Sequence, residues 1–397
     1  MTGEQPLEER IDKRFRRRDA NFELLRILAM FMVIVLHYLA HGGLLPAASE
    51  PLNRSTMTGA AVESLCIAAV NVWVLISGFF LSRTGVSLKR LFKVLLEVWF
   101  YTLIITSVMI LTGNGSGIKG GFYGILEAFL PISSEHYWFA TAYVFMFLFS
   151  PLLNKGVIVL SRKQLKYTII GLLFWFSIIK SFVPVALATD DYGYGFGWFL
   201  VLYLIAAYMR KYDVRILNSA RGGLAVWFVS SAGIFVLTLL SHEVHLSTGR
   251  LTTWLGTPYH YNFILTLTAA LGLFSAFRFL KIREGRFAAA VRFVAPLTFG
   301  VYLLHEHREI RDQWLVWIQE FIGPIPQDDP FLLCVHIIVS ALVVYAAGIM
   351  VDFIRKTIFE WVVRVLSETG LGARFKKLDS SIHTERSWEE INERERS

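Results

Sequence analysis

Charge is scarce in this 397-residue chain: Asp, Glu, Lys and Arg together make up 18% of it, against roughly 25% in soluble globular domains. That deficit argues against a soluble enzyme, and the 55% hydrophobic content excludes a disordered chain, which needs low hydrophobicity. Cysteine is nearly absent. Cys66 and Cys334 both sit inside apolar runs, so they form neither a disulfide framework nor a metal-ligand spacing. A secretory signal is missing as well, because the polar arm 1–21 leads into an apolar run without a small-residue cleavage pattern. No long soluble domain interrupts the sequence, and no internal repeat stands out.

What is present is a succession of long apolar runs. A bilayer-spanning helix takes about 20 mainly apolar residues, and ten segments qualify: 22–42, 60–82, 92–112, 137–153, 166–187, 195–209, 222–241, 259–280, 293–306 and 331–354. The sixth is short, and the ninth reads as a helix that continues beyond Glu306. Gly-, Pro- and Asn-rich stretches such as Thr112–Gly121 and Gly323–Pro330 separate several of them. Aromatic residues reach 15%, as expected where rings gather at membrane interfaces. The expected fold class is therefore all-α: a polytopic transmembrane helical bundle of about ten spans. It divides into a basic arm 1–21, a membrane domain 22–354 and a charged tail 355–397.

The net charge of +8 has two ordinary explanations, nucleic-acid binding or the cytoplasmic enrichment of Lys and Arg in membrane proteins. Distribution decides between them. With the N-terminus inside, the inward segments hold 31 of the 39 basic residues and the outward segments hold 5. The bias alternates at every loop, which predicts both termini in the cytoplasm and leaves no need for a nucleic-acid partner.

A charge inside a span costs at least ~2.5–3.5 kcal/mol on insertion scales, so each one needs a reason. The first span carries Glu23, Arg26 and His37. Arg26 and His37 are eleven residues apart, which is three turns plus roughly 20°, so both side chains share one face about 16 Å apart along the axis. Arg26 can also be read as a snorkelling residue or an i,i+3 partner of Glu23. Taken alone, His37 can be read as a hydrogen-bonded structural histidine.

Later spans add His305, with Tyr302 and Glu306 on neighbouring faces, and the group His136-Tyr137-Trp138 before span four. The bland readings are a polar helix end for the first and an aromatic belt for the second. Lys180 and Glu97 read as buried partners or interface residues. Arg90 and Lys93 share a face at i,i+3 and can hold phosphates, although they also serve the topology bias.

Five segments, in order, resemble the acyltransferase-3 family of integral membrane acyltransferases. Arg26, ten residues and His37 match its hallmark. Val70-Asn-Val-Trp73-Val-Leu-Ile-Ser77-Gly78-Phe79-Phe80-Leu81 is similar to its aromatic Ser-Gly motif. Arg90-Leu-Phe-Lys93 resembles its basic motif, with Lys93 where the family often has Arg. His136-Tyr-Trp138-Phe139 followed by Ser150-Pro151-Leu152 is similar to its fourth span, and Gly300-Val-Tyr302-Leu-Leu-His305 to its Tyr-Leu-x-His motif. The resemblance covers about residues 20–355.

That resemblance implies transfer of an acyl group, most often acetyl, from cytoplasmic acyl-CoA to a hydroxyl of a cell-envelope glycan or lipid-linked sugar, in a multi-pass protein of a bacterial cytoplasmic membrane. It implies His37 and Arg26 as catalytic residues and Arg90 and Lys93 at the donor. Glu23, Trp138, His136, Tyr302 and His305 would support the site or line the acceptor side. Acetyl-CoA is then a co-substrate, with no bound cofactor and no metal. A histidine poised near neutral pH suits deprotonation of a sugar hydroxyl, and it can equally act as a nucleophile through an acyl-histidine. The rival classes are a proton-coupled secondary transporter, since intramembrane ionisable groups also mark proton pathways, and a membrane scaffold. The sequence leaves the acceptor, the acyl length and the oligomeric state open.

Overall fold

The computed structural model describes residues 19–84, 87–113, 122–184, 191–215 and 217–367. The first 18 residues of the basic arm, most of the Gly-rich Thr112–Gly121 segment and the tail beyond residue 367 lie outside these. The described residues form helices and no strand. In chain order these are α1 (Ala20–His41), α2 (Arg54–Cys66), α3 (Ala69–Thr84), α4 (Leu88–Leu111), α5 (Phe122–Phe129), α6 (Trp138–Val159), α7 (Arg162–Leu173) and α8 (Ile179–Phe182). They continue with α9 (Phe196–Lys211), α10 (Ala220–Thr248), α11 (Ile264–Phe279), α12 (Arg286–Val294), α13 (Thr298–His305), α14 (Trp314–Ile322) and α15 (Pro330–Ser367).

Nine helices among the described residues are long and apolar enough to cross a bilayer, several of them built from two labelled pieces. Their bounds differ from the expected spans for local reasons. The second span starts early because the Asn53 side chain accepts from the Thr56 N–H while Thr56 Oγ1 accepts from the Asn53 N–H, closing a capping box. Ser161 and Gln164 close another and start α7. α7 and α8 are joined through a π turn at Phe174–Ile178. α12 and α13 are joined through a 3₁₀ turn at Ala295–Leu297, where Pro296 has no N–H to give to a helical ladder.

Two expectations need correction. The sixth span is α9, only 16 residues long, or about 24 Å at 1.5 Å per residue. That is short of the ~30 Å hydrocarbon thickness. Its buried residues include Trp198, Phe199, Leu202, Tyr203 and Ala206, so protein rather than lipid surrounds much of it. The ninth helix does not continue past Glu306; it ends at His305. The chain turns there because the buried His307 ring accepts from the Glu309 N–H through Nδ1 (3.1 Å) while its carbonyl takes the Ile310 and Arg311 N–H groups.

α1 is the hub, packed against α2, α3, α11, α12, α13 and α15. Elsewhere, small residues let backbones approach, as is usual between helices in membranes. A Cβ on Gly223 of α10 would stand 2.6 Å from the Gly272 carbonyl oxygen of α11, and one on Gly272 would stand 2.9 Å from that of Gly223. Buried Asn71 of α3 crosslinks the bundle: it donates to the Tyr261 carbonyl (2.7 Å) and accepts from Trp198 Nε1 (2.9 Å). This pins the loop between α10 and α11 over α3.

Candidate active site

α1 sets out Arg26, Met30, Val33, His37 and His41 at steps of three and four residues, the spacing of one helical face. Its two ends have different surroundings.

At the far end, His37 Nδ1 stands 2.9 Å from His305 Nε2 and 3.1 Å from Glu306 Oε1. The proton positions follow from the partners. His305 Nδ1 faces the Val301 carbonyl at 2.6 Å, and a carbonyl only accepts. In a neutral His305 the ring proton is therefore on Nδ1 and Nε2 is a bare acceptor. His37 must then carry its own proton on Nδ1, donating toward His305 and Glu306, which leaves His37 Nε2 as the unprotonated nitrogen. Glu306 Oε1 is buried without an aligned hydrogen bond, and His41 Nε2 lies 3.7 Å from it. The next residue, Tyr38, is tethered: its hydroxyl donates to His336 Nδ1 (2.6 Å), whose Nε2–H donates to the Gly323 carbonyl (3.0 Å).

His37, His305 and Glu306 offer ligand atoms all within 4.8 Å of one another, a convergence that sequence spacing did not announce. Two nitrogens on a tetrahedral Zn²⁺ at about 2.0–2.1 Å stand roughly 3.3 Å apart. The 2.9 Å between His37 and His305 is instead the separation of two nitrogens sharing a proton, so hydrogen bonding accounts for this arrangement.

His37 lines a cavity together with Met30, Val33 and Leu36 of α1, Val70 and Trp73 of α3, Trp138 and Phe139 of α6, Tyr302 of α13, and Tyr261. The walls are mostly apolar and aromatic. Two of the polar atoms are already engaged, since the Tyr302 hydroxyl meets the Phe139 backbone and the Tyr261 hydroxyl meets Tyr194. Trp73 Nε1 is buried with no hydrogen-bond partner among the described residues. On one side, Trp138, Tyr194 and Tyr261 form an aromatic cluster. Trp138 stacks on Tyr261 at 5.7 Å, and Tyr194 lies 4.6 Å from Trp138 and 4.8 Å from Tyr261. Tyr194 is 41% exposed, so this wall reaches the surface.

At the near end of α1, Arg26 pairs with buried Glu23 one turn earlier and lies over the Phe80 ring at 5.7 Å. Arg210 and Arg278 lie over the neighbouring Phe79 ring at 4.8 and 5.4 Å, and the two rings are 5.5 Å apart. Three guanidiniums thus gather on one aromatic pair, a favourable seat for each of them. Arg278 also holds Asp213 at 2.5 Å.

A family model described as an acyltransferase domain matches residues 19–351. The chain belongs to the acyltransferase-3 family. It is a multi-pass membrane acyltransferase, and no curated protein and no solved structure matches it.

The acyltransferase brings together four of the residues singled out from its sequence: His37, Trp138 and Tyr302 line one cavity, and His305 holds His37. Glu23 and Arg26 meet at the opposite end of α1. The remaining three stand apart from the cavity lining. His136 meets His307 at a tilt, ring centroids 4.6 Å apart, while Arg90 and Lys93 are exposed on the first turns of α4. Sequence reasoning placed Glu306 beside His305 without giving it a role, quoted Trp73 only within a motif, and did not nominate Tyr194, Tyr261, Arg210 or Arg278. A signal existed for Glu306, next to His305, and for the two arginines, charges at the ends of apolar runs. None existed for Tyr194 and Tyr261, which reach the cavity through tertiary packing alone.

Proposed function

We propose that this acyltransferase moves an acetyl group from cytoplasmic acyl-CoA to a hydroxyl of a cell-envelope glycan or glycolipid, in a bacterial cytoplasmic membrane with both termini inside. The observation that carries the reading is the bare Nε2 of His37 in an apolar cavity, at the end of a helix face that begins at an arginine cluster.

The donor has an anionic end, a long thin arm and a reactive thioester. Arg26, with Arg210 and Arg278 beside it, suits the phosphates, because guanidinium matches phosphate oxygens in bidentate fashion. Exposed Arg90 and Lys93 would add charge at the cytoplasmic mouth. The apolar face through Met30 and Val33 accommodates the arm. Three turns on, His37 Nε2 accepts the proton of the acceptor hydroxyl as its oxygen attacks the thioester carbon, which breaks the C–S bond. The same proton then goes to the departing thiolate. Glu306 and His305 hold the ring by its Nδ1–H, and the Glu306 carboxylate steadies the imidazolium while it exists. The faces of Trp138, Tyr194 and Tyr261 suit the C–H faces of a sugar entering from the outer side.

General-base help of this kind is worth about 10²–10⁴-fold. The test is purified protein in lipid nanodiscs, supplied with acetyl-CoA and an envelope glycan fraction. Stoichiometric CoA release and glycan acetylation, both abolished in His37→Gln and slowed through a raised donor KM in Arg26→Gln, are the expected outcomes. A folded His37→Gln protein that acetylates normally would overturn the reading, as would glycan accumulation in liposomes without CoA release.

A further inference from the structure

Acyl length is the part of the reaction that the sequence leaves open, and the neighbourhood of the base bears on it. Val33 stands one turn before His37 on α1, and both line the same cavity. Residues four apart on a helix bring their Cβ atoms within about 5–6 Å. Side chains on a helix also lean toward its N-terminus, so the His37 ring leans over Val33. An acyl carbon in reach of His37 Nε2 therefore has Val33 as a neighbour.

The space beside them is small and its walls are stiff. The cavity offers about 20 Å³, where a cavity that admits a benzene ring measures about 150 Å³. Phe139 is fixed by its packing, with ring centroids 5.4 Å from Phe199, 5.7 Å from Tyr302 and 6.3 Å from Trp73. Trp138 stacks on Tyr261. Met30, two turns before His37, is unbranched and adapts to what passes it. Val33 is different. A β-branched side chain in a helix keeps essentially one χ1 rotamer, and this one is 7% exposed, so it cannot swing aside. The lining of α1 thus changes from adaptable to rigid just before the base.

We propose that Val33 sets the size of the acyl group and holds this acyltransferase to acetyl. The proposal deepens the reading above and rests on it; the bonds made and broken are those already given. Every CoA donor brings the same arm past Met30 and Val33, so donors that differ only beyond the carbonyl carbon report on this room alone. An acetyl methyl fits beside Val33, while each further methylene has to displace a wall. One methylene too many or too few in an apolar pocket is worth about 10–200-fold in kcat/KM.

The experiment gives acetyl-, propionyl- and butyryl-CoA, each with the glycan fraction, to wild type, Val33→Ala, Val35→Ala and His37→Gln in nanodiscs. In wild type, kcat/KM should fall by about 10–200-fold from acetyl to propionyl and further for butyryl. Val33→Ala takes two methyl groups off the wall and should raise the propionyl-to-acetyl ratio of kcat/KM by at least about tenfold. That ratio is taken within one preparation, so a smaller folded fraction does not alter it. Val35→Ala makes the same truncation in a buried residue of α1 outside the cavity lining, and should leave the ratio unchanged. Equal use of acetyl and propionyl by wild type overturns the proposal, as does an unchanged ratio in Val33→Ala or an equal rise in Val35→Ala. Those outcomes leave the role of His37 standing. An active His37→Gln protein, or no CoA release from any of the donors, overturns the underlying reading and the proposal with it.

Discussion

Among the described residues, two buried ionisable clusters differ in their surroundings: one borders a cavity and the other bridges two helices. In the first, Glu97 of α4 and Asp352 of α15 enclose Arg355. The guanidinium lies 2.6 Å from Asp352 Oδ1 and 3.1 Å from Glu97 Oε1, and the Tyr101 hydroxyl donates to Asp352 at 3.0 Å. Gly300 closes over it so tightly that a Cβ there would fall 2.1 Å from Asp352 Oδ1. In the second, His305 and Glu306 both approach one edge of the His37 ring, at 2.9 and 3.1 Å, and leave its other nitrogen uncommitted. The first cluster ties α4 to α15, with Arg355 hydrogen-bonded to Asp352 and Glu97 held to it as an ion pair. The second positions one atom for something else. Burial and charge alone do not separate structure from chemistry in a membrane; what separates them is whether the cluster meets open space.

The sharpest way to break that comparison is to exchange the expected consequences. His37→Gln should lower kcat by about 10²–10⁴-fold with little change in thermal midpoint, read by CoA release and a melting curve on the same preparation. A large drop in stability instead would place His37 with the structural cluster. Arg355→Met should do the reverse. Removing one partner of a buried pair costs about 3–5 kcal/mol, so the variant should melt well below wild type while any folded fraction keeps its turnover, measured as activity per folded molecule. Glu306→Gln removes the charge behind the His37 ring but keeps its size, and should cost about 10–100-fold in kcat with KM nearly unchanged.

The smallest effect concerns His136, just outside the membrane-spanning part of α6. Burial pushes its imidazole down to about 3, with His307, Arg308 and Arg311 adding to the shift. Unfolded, the ring binds a proton near its ordinary 6.5; folded, it does not. Stability should therefore fall as the pH drops below 6.5. His136→Gln should flatten that acid-side decline in melting temperature without altering it above neutrality, and an unchanged slope would remove His136 from the account.

Much of this was legible in the sequence. Hydropathy gave the helices, because a bilayer imposes one length on every lipid-facing span. It gave α9 less clearly, since a helix enclosed by protein is freed from that length. The spacing of Arg26 and His37 placed them on one face of α1, because helix periodicity is local. What could not be read is what packing decides. The turn after His305 depends on the buried His307 ring taking the Glu309 N–H, and only that turn swings Glu306 onto His37. Tyr261, in the loop between α10 and α11, reaches the cavity because Asn71 of α3 holds its carbonyl. Arg210 and Arg278 join Arg26 only because Phe79 and Phe80 lie between them. Exposed Arg90 and Lys93 followed the motif in sequence yet stand apart from the cavity.

The central claim is the state of one nitrogen. In protein labelled with ¹⁵N-histidine, with the His37 signals assigned by their loss in His37→Gln, nitrogen chemical shifts distinguish protonated from bare ring nitrogens. The account predicts a His37 ring protonated at Nδ1 and bare at Nε2 near neutral pH. A proton resident on Nε2 would contradict it.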